Sequence, residues 1–562
     1  MSDYHQIKED LKGKLIGEIF DDFETLKKYS RDASLFEVWP RLVVWPKNAE
    51  DIKNLVKYVS ENKRKYPDLS IAVRAAGSCM SGGSLTESIV VDVTPHMNKI
   101  EIDPGKKTAV VEPGAFYRDF EKETLKHNLI LPCYTASKNL CALGGMIGNN
   151  AAGEKTLQYG KMENFVLELD VVLKDGNLYN FRTLPRVEAL RKSHEHHFEG
   201  EVYERMMRLI DKNREIINHS KPRVSKNSAG YYVWNIERSG TFDLTKVLVG
   251  SQGTLGIVTE AKISLVDVKP KSRLLVIFMD ELNRLGELVD KILPHNPESI
   301  ESYDDYTLKL AIKFLPEMMR IMKAGFFKLL FSFIPEAFMV LTGGMPKLVL
   351  LVEFSGNDES ELQDRINRLK SDITTFGLKM RSTSNQNDEE KYWTIRRESF
   401  NLLRKHIKGK RTAPFIDDIC VRPEFLPEFL PKLRKILDQS RLVYTIAGHA
   451  GNGNFHIIPL MDMRDPHNRA IIPLLSERVY DLVNQYEGTI TAEHNDGIVR
   501  TPYLHKMYKQ EVLDIFKEVK EIFDPQYIFN PGKKVRSKKT SGDDQGPDGS
   551  VEYMMGHIAK TN

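Results

Sequence analysis

Residues 448–456 read GHAGNGNFH, two imidazoles seven positions apart around a glycine-rich turn. Asn-Gly is the strongest two-residue hairpin signal. With Asn452-Gly453 as the turn, the expected pairs are 451/454, 450/455 and 449/456. That register sets His449 directly opposite His456, with Cβ atoms about 4.5–5.5 Å apart. Two imidazoles so placed can share one divalent ion, at nitrogen–metal distances of about 2.0–2.1 Å for zinc. A third ligand must come from elsewhere, and Glu493, in the stretch TAEHNDGIVR, is the candidate. Three protein ligands would leave a coordination position open for substrate, as catalytic sites require. Geometry alone leaves a second reading open, a hairpin whose histidines only pack, since the chain holds 15 of them.

Three glycine-dense loops stand earlier in the chain: RAAGSCMSGGS (74–84), ALGGMIGNNAAG (142–153) and GSQGTLGIVTE (250–260). Glycine lets backbone N–H groups converge on an anion such as a pyrophosphate. None of the three is a GxGxxG after a strand with an acidic residue about 20 positions on, so a Rossmann site is not supported. Each alone reads as a turn; three in one lobe favour a dinucleotide held by loops.

The elements that must position these residues form two lobes. Residues 41–60 read as a strand, a turn at Pro46 and an amphipathic helix capped at Asn48 or Asp51. Short β-branched runs follow, then a helix at 117–128 and a hairpin signalled by Asp175-Gly176. A charged helical insert at about 185–240 precedes a return to strand character at 246–268. From about 270, strands such as SRLLVIFMD and PKLVLLVEFSG lie among long helices. The expected fold is α+β, divided into an N-terminal helical segment (1–35), a first domain (36–268), a second domain (269–535) and a disordered polar tail (536–562).

Composition narrows the function. Lys and Arg number 81 against 78 Asp and Glu, so the bulk charge gives no reason to expect nucleic acid. The four cysteines (Cys79, Cys133, Cys141, Cys420) lack CxxC spacing, which argues against iron–sulfur clusters and fits a reducing cytoplasm. The N-terminus shows no apolar signal-peptide core. The most apolar window, 324–345, is broken by Lys328 and Pro335-Glu336, so it does not read as a membrane span. It reads as a buried helix pair or an amphipathic segment (324–342) touching a membrane from its inner face.

In its motifs the chain resembles the vanillyl-alcohol oxidase / p-cresol methylhydroxylase superfamily. RAAGSCMSGGS, GGMIGNNAAG, YGKMENFV and GSQGTLGIVTE look like its FAD-binding domain. GHAGNGNFH, EHNDGIVR and FDPQYIFNPGK look like the C-terminal half of its FAD-linked D-2-hydroxy-acid dehydrogenase branch, which includes D-lactate dehydrogenase, the flavoprotein of glycolate oxidase and D-2-hydroxyglutarate dehydrogenase. The resemblance runs from about 29 to 535 with motif order kept. It implies an FAD-binding domain of the p-cresol methylhydroxylase type and an α+β cap domain that returns to the flavin at its end.

The resemblance also assigns roles. Arg74, Gly77, Ser78, Ser81 and Gly82 would cradle the FAD pyrophosphate. Gly144, Gly145, Gly148, Asn149, Asn150 and Gly153 would line the isoalloxazine and ribityl chain. Gly253, Thr254, Gly256, Ile257 and Val258 would hold the adenine side, and Asn530 would close over the flavin. The usual RGGG is Arg74-Ala75-Ala76-Gly77 here, and Ser78 stands where some relatives carry a flavin-linking histidine, which implies non-covalent FAD. His449, His456 and Glu493 match the branch's ligands for a divalent metal, zinc or manganese. His494 would remove the hydroxyl proton as C2 passes a hydride to flavin N5, and Arg396 would bind the substrate carboxylate. Ile416 and Ile458 replace residues that hydroxyglutarate-type members use, favouring a smaller or apolar tail such as that of D-lactate, although Lys410 or Arg411 can compensate. Electrons would leave to a quinone, a cytochrome or an electron-transfer flavoprotein. Two other functions stand beside this one: a flavin-dependent transferase like alkyl-dihydroxyacetone-phosphate synthase, and a flavoprotein subunit that only relays electrons.

Overall fold

The structure, a computed structural model, describes residues 3–313, 344–406, 409–537 and 548–561. Its first domain is built on two sheets. The β-branched runs Leu42–Trp45, Ile89–Asp92 and Ile71–Arg74 pair in parallel, and Glu18–Phe20 adds an antiparallel edge. The helix Ala49–Asn62 covers this sheet, its first turn capped by the Asn48 side chain on the N–H groups of Glu50 and Asp51. The edge strand and the helix Tyr4–Lys12, whose Ile7 and Leu11 are buried in the same core, make 1–35 part of this domain rather than a separate helical segment.

The second sheet runs Ile100–Asp103, Thr108–Val111, Ile257–Ser264, Val166–Val172 and Leu178–Arg182, all antiparallel. Asp175-Gly176 turns the last pair, with Gly176 at φ +77°. The insert forms the helices Arg186–Lys192, Phe198–Lys212 and Arg214–Ser220, which share a core with this sheet and with Gln510–Phe523 from the chain's other end.

The second domain is a seven-stranded antiparallel sheet, ordered Lys379–Ser382, Lys271–Met279, Leu348–Gly356, Ser299–Asp304, Ile446–His449, Asn454–Ile457 and Ile419–Cys420. Helices cover both faces, which is why Lys271–Met279 and Leu348–Gly356 carry continuous apolar runs rather than alternating. The apolar stretch 324–342 lies outside the described residues. Among the described residues, no helix is long and apolar enough to cross a membrane.

The tail departs from expectation. After residues 538–547, which are also outside the described set, Val551–Gly556 is a helix and Ile558 bridges Phe36. Met554, Ile558 and Ala559 are buried, and backbone bonds join Glu37 to His557 and Ala559 to Leu35. The polar Gly/Pro run masks this apolar group behind it, so composition alone misjudged the last residues.

The hairpin register also differs. Ile446 pairs with Ile457 and His449 with Asn454, so the loop is the four residues 450–453, a 3₁₀ turn ending at Gly453 with φ +67°. The shift is two residues. Because side chains alternate with period two, His449 and His456 stay on one face as diagonal rather than direct neighbours. Gly453→Ala would place a Cβ 1.8 Å from the Val421 carbonyl oxygen in a left-handed conformation that itself costs about 1–2 kcal/mol. It is expected to lower the thermal unfolding midpoint; an unchanged midpoint would contradict this turn.

Candidate active site

Three neighbouring strands bring three polar side chains to one face of the second sheet. Ser302 pairs with Gly448, so Glu301 falls beside His449, and His456 follows on the next strand. His449 Nδ1 lies 2.6 Å from Glu301 Oε1, and the two histidine rings are edge to face with centroids 5.3 Å apart. An acid on Nδ1 leaves Nε2 to face the site, the usual arrangement for an imidazole ligand.

Glu493 and His494 arrive on a loop held by Asp418. The Asp418 Oδ2 accepts the backbone N–H groups of Ala492, Glu493 and His494 at 2.9, 2.9 and 2.7 Å and the Thr491 hydroxyl at 2.8 Å. Its neighbour Asp417 faces His456 Nδ1 at 3.1 Å and His494 Nδ1 at 2.7 Å. Arg500, fully buried, donates to the carbonyls of Asp417 and Asn495 and ties the two segments together.

The outcome is a convergence on one oxygen. Glu493 Oε1 lies 3.4 Å from His449 Nε2, 3.2 Å from His456 Nε2 and 3.8 Å from His494 Nε2. The rings of His456 and His494 stack with centroids 5.1 Å apart. Lys226, wholly buried, approaches the other Glu493 oxygen at 3.1 Å. Asp418, His456, Glu493 and His494 also have ligand atoms close enough to share an ion. Asp418 is the weaker member, because its Oδ2 already takes four donors and its Oδ1 accepts the Asn454 amide. His449, with Nδ1 fixed and Nε2 turned inward, fits a ligand's role better. The donor set of two imidazoles and a carboxylate suits a divalent transition ion.

Charge among these groups is tightly compensated. Burial pushes the Glu493 carboxyl up, but Lys226 and His449 outweigh it and hold it well below the ordinary carboxylate range. Burial pushes the His456 imidazole down, yet Asp417 and Glu493 raise it to about 10. His494 is likewise raised, by Asp418 and Asp417 against burial. Asp417, which burial alone would raise, is held low by His494 and His456.

A cleft ends at this cluster, and Glu493 and His494 form part of its wall. Its lining includes Gly77, Ser78, Gly144, Gly145, Gly148, Asn149, Gly253, Gly256, Ile257 and Val258, from all three glycine loops, together with Ala75 and Ala76. A wall that is largely main chain and small side chains fits a flat ring system and a pyrophosphate neutralised by N–H groups. The other expected residues support the cleft from behind. Arg74 donates to the Arg31 carbonyl and lies over the Tyr29 ring. Ser81 accepts from the Gln252 amide, and Gly82 faces Phe36 and Ile498. Asn150 caps its helix at φ +54° and pairs with Glu163, Gly153 packs on the Tyr134 carbonyl, and Thr254 meets the Tyr231 hydroxyl at 2.7 Å. Asn530 donates to the carbonyls of Gly83 and Gln252, closing two loops on each other rather than lining the cleft.

Arg396 reaches the cluster indirectly, its Nη2 3.2 Å from Glu301 Oε2, while its buried Nε has no hydrogen-bond partner. Arg411 donates to the Ser34 carbonyl and Lys410 is exposed. Sequence reasoning missed Glu301, Asp417, Asp418, Lys226 and Gln252. A signal existed for Asp417-Asp418, which interrupts the apolar run APFIDDICV, where a buried charge requires a partner; Glu301, in the polar stretch SIESYD, gave none.

The raised His456 and lowered Asp417 and Glu493 set a pH window for protein stripped of metal by a chelator. The carboxylates stabilise the fold above about pH 4–5 and lose that contribution on acidification. The His456 contribution is complete below its unfolded value of 6.5 and is lost as pH rises toward 10. The unfolding midpoint should therefore be highest between about pH 5 and 6.5 and fall on the alkaline side. His456→Gln should flatten that alkaline limb; equal limbs in both proteins would show that His456 does not carry the charge.

Comparison with known proteins bears on the whole chain. Residues 40–182 match the FAD binding domain family, and residues 269–534 match the C-terminal domain of FAD linked oxidases. D-2-hydroxyglutarate dehydrogenase of Pseudomonas putida is 29% identical over 92% of this chain and 50% of its own, so the chain spans about half the length of that relative. Glycolate oxidase subunit GlcD of Bacillus subtilis is 26% identical over 94% of this chain and 97% of its own. D-lactate dehydrogenase of Archaeoglobus fulgidus is 24% identical over 88% and 91%. In fold, p-cresol methylhydroxylase superposes at TM-score 0.65 with 15% identity, covering 94% of this chain and 96% of its own. Alkyldihydroxyacetonephosphate synthase superposes equally well at TM-score 0.65 and 15% identity, over 94% and 85%. With the two models matched in order, and a cleft and fold to suit them, the chain joins an FAD binding domain at 40–182 to an FAD linked oxidase C-terminal domain at 269–534, in a fold that p-cresol methylhydroxylase shares.

Proposed function

We propose that the protein is an FAD- and metal-dependent dehydrogenase that oxidises a D-2-hydroxy acid with a small or apolar tail, D-lactate in type, to the 2-oxo acid. The observation that carries this reading is the junction itself: Glu493 and His494 wall the dinucleotide cleft and also face His449 and His456. When bound, non-covalent FAD supplies the hydride acceptor, and a zinc or manganese ion on His449, His456 and Glu493 acidifies the substrate's 2-hydroxyl.

The chain's own residues do the rest. His494 takes the hydroxyl proton at Nε2, and Asp417, 2.7 Å from its Nδ1, fixes the ring and favours its protonated form. Arg396 offers its unpaired Nε to the substrate carboxylate while Glu301 restrains its Nη2. A second carboxylate finds less support. Arg397 is paired with Glu154, Lys226 with Glu493, and Arg411 with the Ser34 carbonyl, while Ile416 is buried. The likeness to alkyldihydroxyacetonephosphate synthase is one of fold alone, and a protein that only relays electrons has no use for this cluster. Electrons pass on to a separate acceptor, a quinone, a cytochrome or an electron-transfer flavoprotein.

The test is anaerobic absorbance of the metal-replete holoprotein at the flavin's visible band. D-lactate should bleach it and L-lactate should not, with D-2-hydroxyglutarate weaker. His494→Ala should slow bleaching by about 10²–10⁴-fold with flavin content unchanged. Removing the metal with a chelator should abolish bleaching, and zinc or manganese should restore it. A yellow protein that no hydroxy acid bleaches would overturn the assignment.

A further inference from the structure

Arg396 and Arg397 are consecutive on the helix Gln386–His406, yet they reach different domains. Arg396 meets Glu301, whose other oxygen holds His449. Arg397 turns to the first domain. Its Nε donates to Glu154 Oε1 at 2.8 Å and its Nη2 to Glu154 Oε2 at 2.5 Å, a two-bond fork. Glu154 directly follows the glycine loop 142–153 that lines the cleft.

The pair is not an ordinary surface contact. The Arg397 side chain is 42% exposed, but Glu154 is only 5% exposed, and although burial pushes its carboxyl up, Arg397 outweighs this and keeps it ionised. The guanidinium also lies 4.8 Å from the centroid of Trp393, one helical turn back, so its approach is packed from behind. The loop end is itself tied down: Gly153 N–H donates to the Thr156 hydroxyl at 2.7 Å, and Lys226 donates to the Gly153 carbonyl at 3.4 Å. A two-bond fork restrains rotation as well as separation, which a point charge does not.

We infer that Arg397 is a positioning residue: its fork to Glu154 locks the cap helix to the flavin loop and thereby sets where Arg396 stands relative to the cleft. The inference rests on the assignment of Arg396 to the substrate carboxylate. Arg396 moved off the substrate carboxylate would lose a directional charge-assisted contact that holds substrate, so the lock governs substrate binding without touching substrate.

Arg397→Gln, Glu154→Gln, Arg397→Lys and the double variant Arg397→Gln/Glu154→Gln test it, each as metal-replete holoenzyme with flavin content measured. Arg397→Gln should raise KM for the D-acid about tenfold or more while kcat changes much less. Arg397→Lys, which keeps charge but not the fork, should fall between it and wild type. The double variant should be no worse than the worse single, since both remove one contact. A KM for Arg397→Gln within about twofold of wild type, or losses that multiply in the double variant, would overturn the inference. Hydrogen exchange of residues 386–398 separates this from the functional reading. If no hydroxy acid bleaches even wild type, that reading falls, and the lock is judged on exchange alone. Faster exchange in Arg397→Gln and Glu154→Gln, with no further increase in the double, supports it; unchanged exchange overturns it.

Discussion

A buried carboxylate is tolerated only when its oxygens are satisfied, and Asp418 shows how much structure one such group can organise. It is fully buried and adopts φ +69°, a conformation that non-glycine residues rarely hold. That strain turns its Oδ2 onto three successive N–H groups and a hydroxyl of 491–494. The chain direction at Glu493 and His494 is thereby set by one side chain from a distant segment. Removing that side chain would leave the Glu493 and His494 N–H groups without an acceptor at the point where cleft and cluster meet, while Ala492 N–H would keep the Asp418 carbonyl. The adjacent Asp417 acts on the side chains rather than the backbone, orienting two rings through their Nδ1 atoms. The Asp-Asp dipeptide therefore fixes both the loop and the imidazoles it carries.

The same economy appears in the histidine hairpin. What matters for a shared ligand site is the face on which each ring stands, and the period-two alternation of a strand protects that property against a two-residue error in register. That is why spacing alone set His449 and His456 on one face even though the expected turn was two residues out. The four-residue loop wins over the two-residue one because Gly453 packs against the Val421 carbonyl, and Val421 N–H in turn bonds the Gly453 carbonyl. Tertiary contact, invisible from Asn-Gly alone, selected the turn.

Legibility followed the range of the forces involved. The glycine loops, the Asp175-Gly176 hairpin and the helix capped by Asn48 depend on local backbone preference, and each was readable in place. Lys226 was not, because its role exists only through Glu493, 267 positions away in sequence. Glu301, in a polar strand, was unreadable for the same reason, while Asp417 in its apolar run announced a partner without naming it. The tail failed differently. Its polar run obscured Met554 and Ile558, whose burial depends on Phe36 and Leu35 at the other end of the chain.

Several of the long-range contacts cross between the two domains. Lys226 from the insert reaches Glu493, Gly230 N–H donates to Asp496, and the Asn495 amide donates to the Gly250 carbonyl. Interfaces within a chain are ordinarily polar and permit relative motion. Here the crossing groups are buried and hydrogen-bonded, so their directional contacts resist small relative motions. In the proposed reaction a hydride acceptor on one domain and a proton acceptor on the other would need a fixed separation for both to act on one carbon atom and its hydroxyl. Compensated charge at the seam supplies that rigidity where an apolar interface could not, since dispersion is indifferent to small slides and a forked ion pair is not.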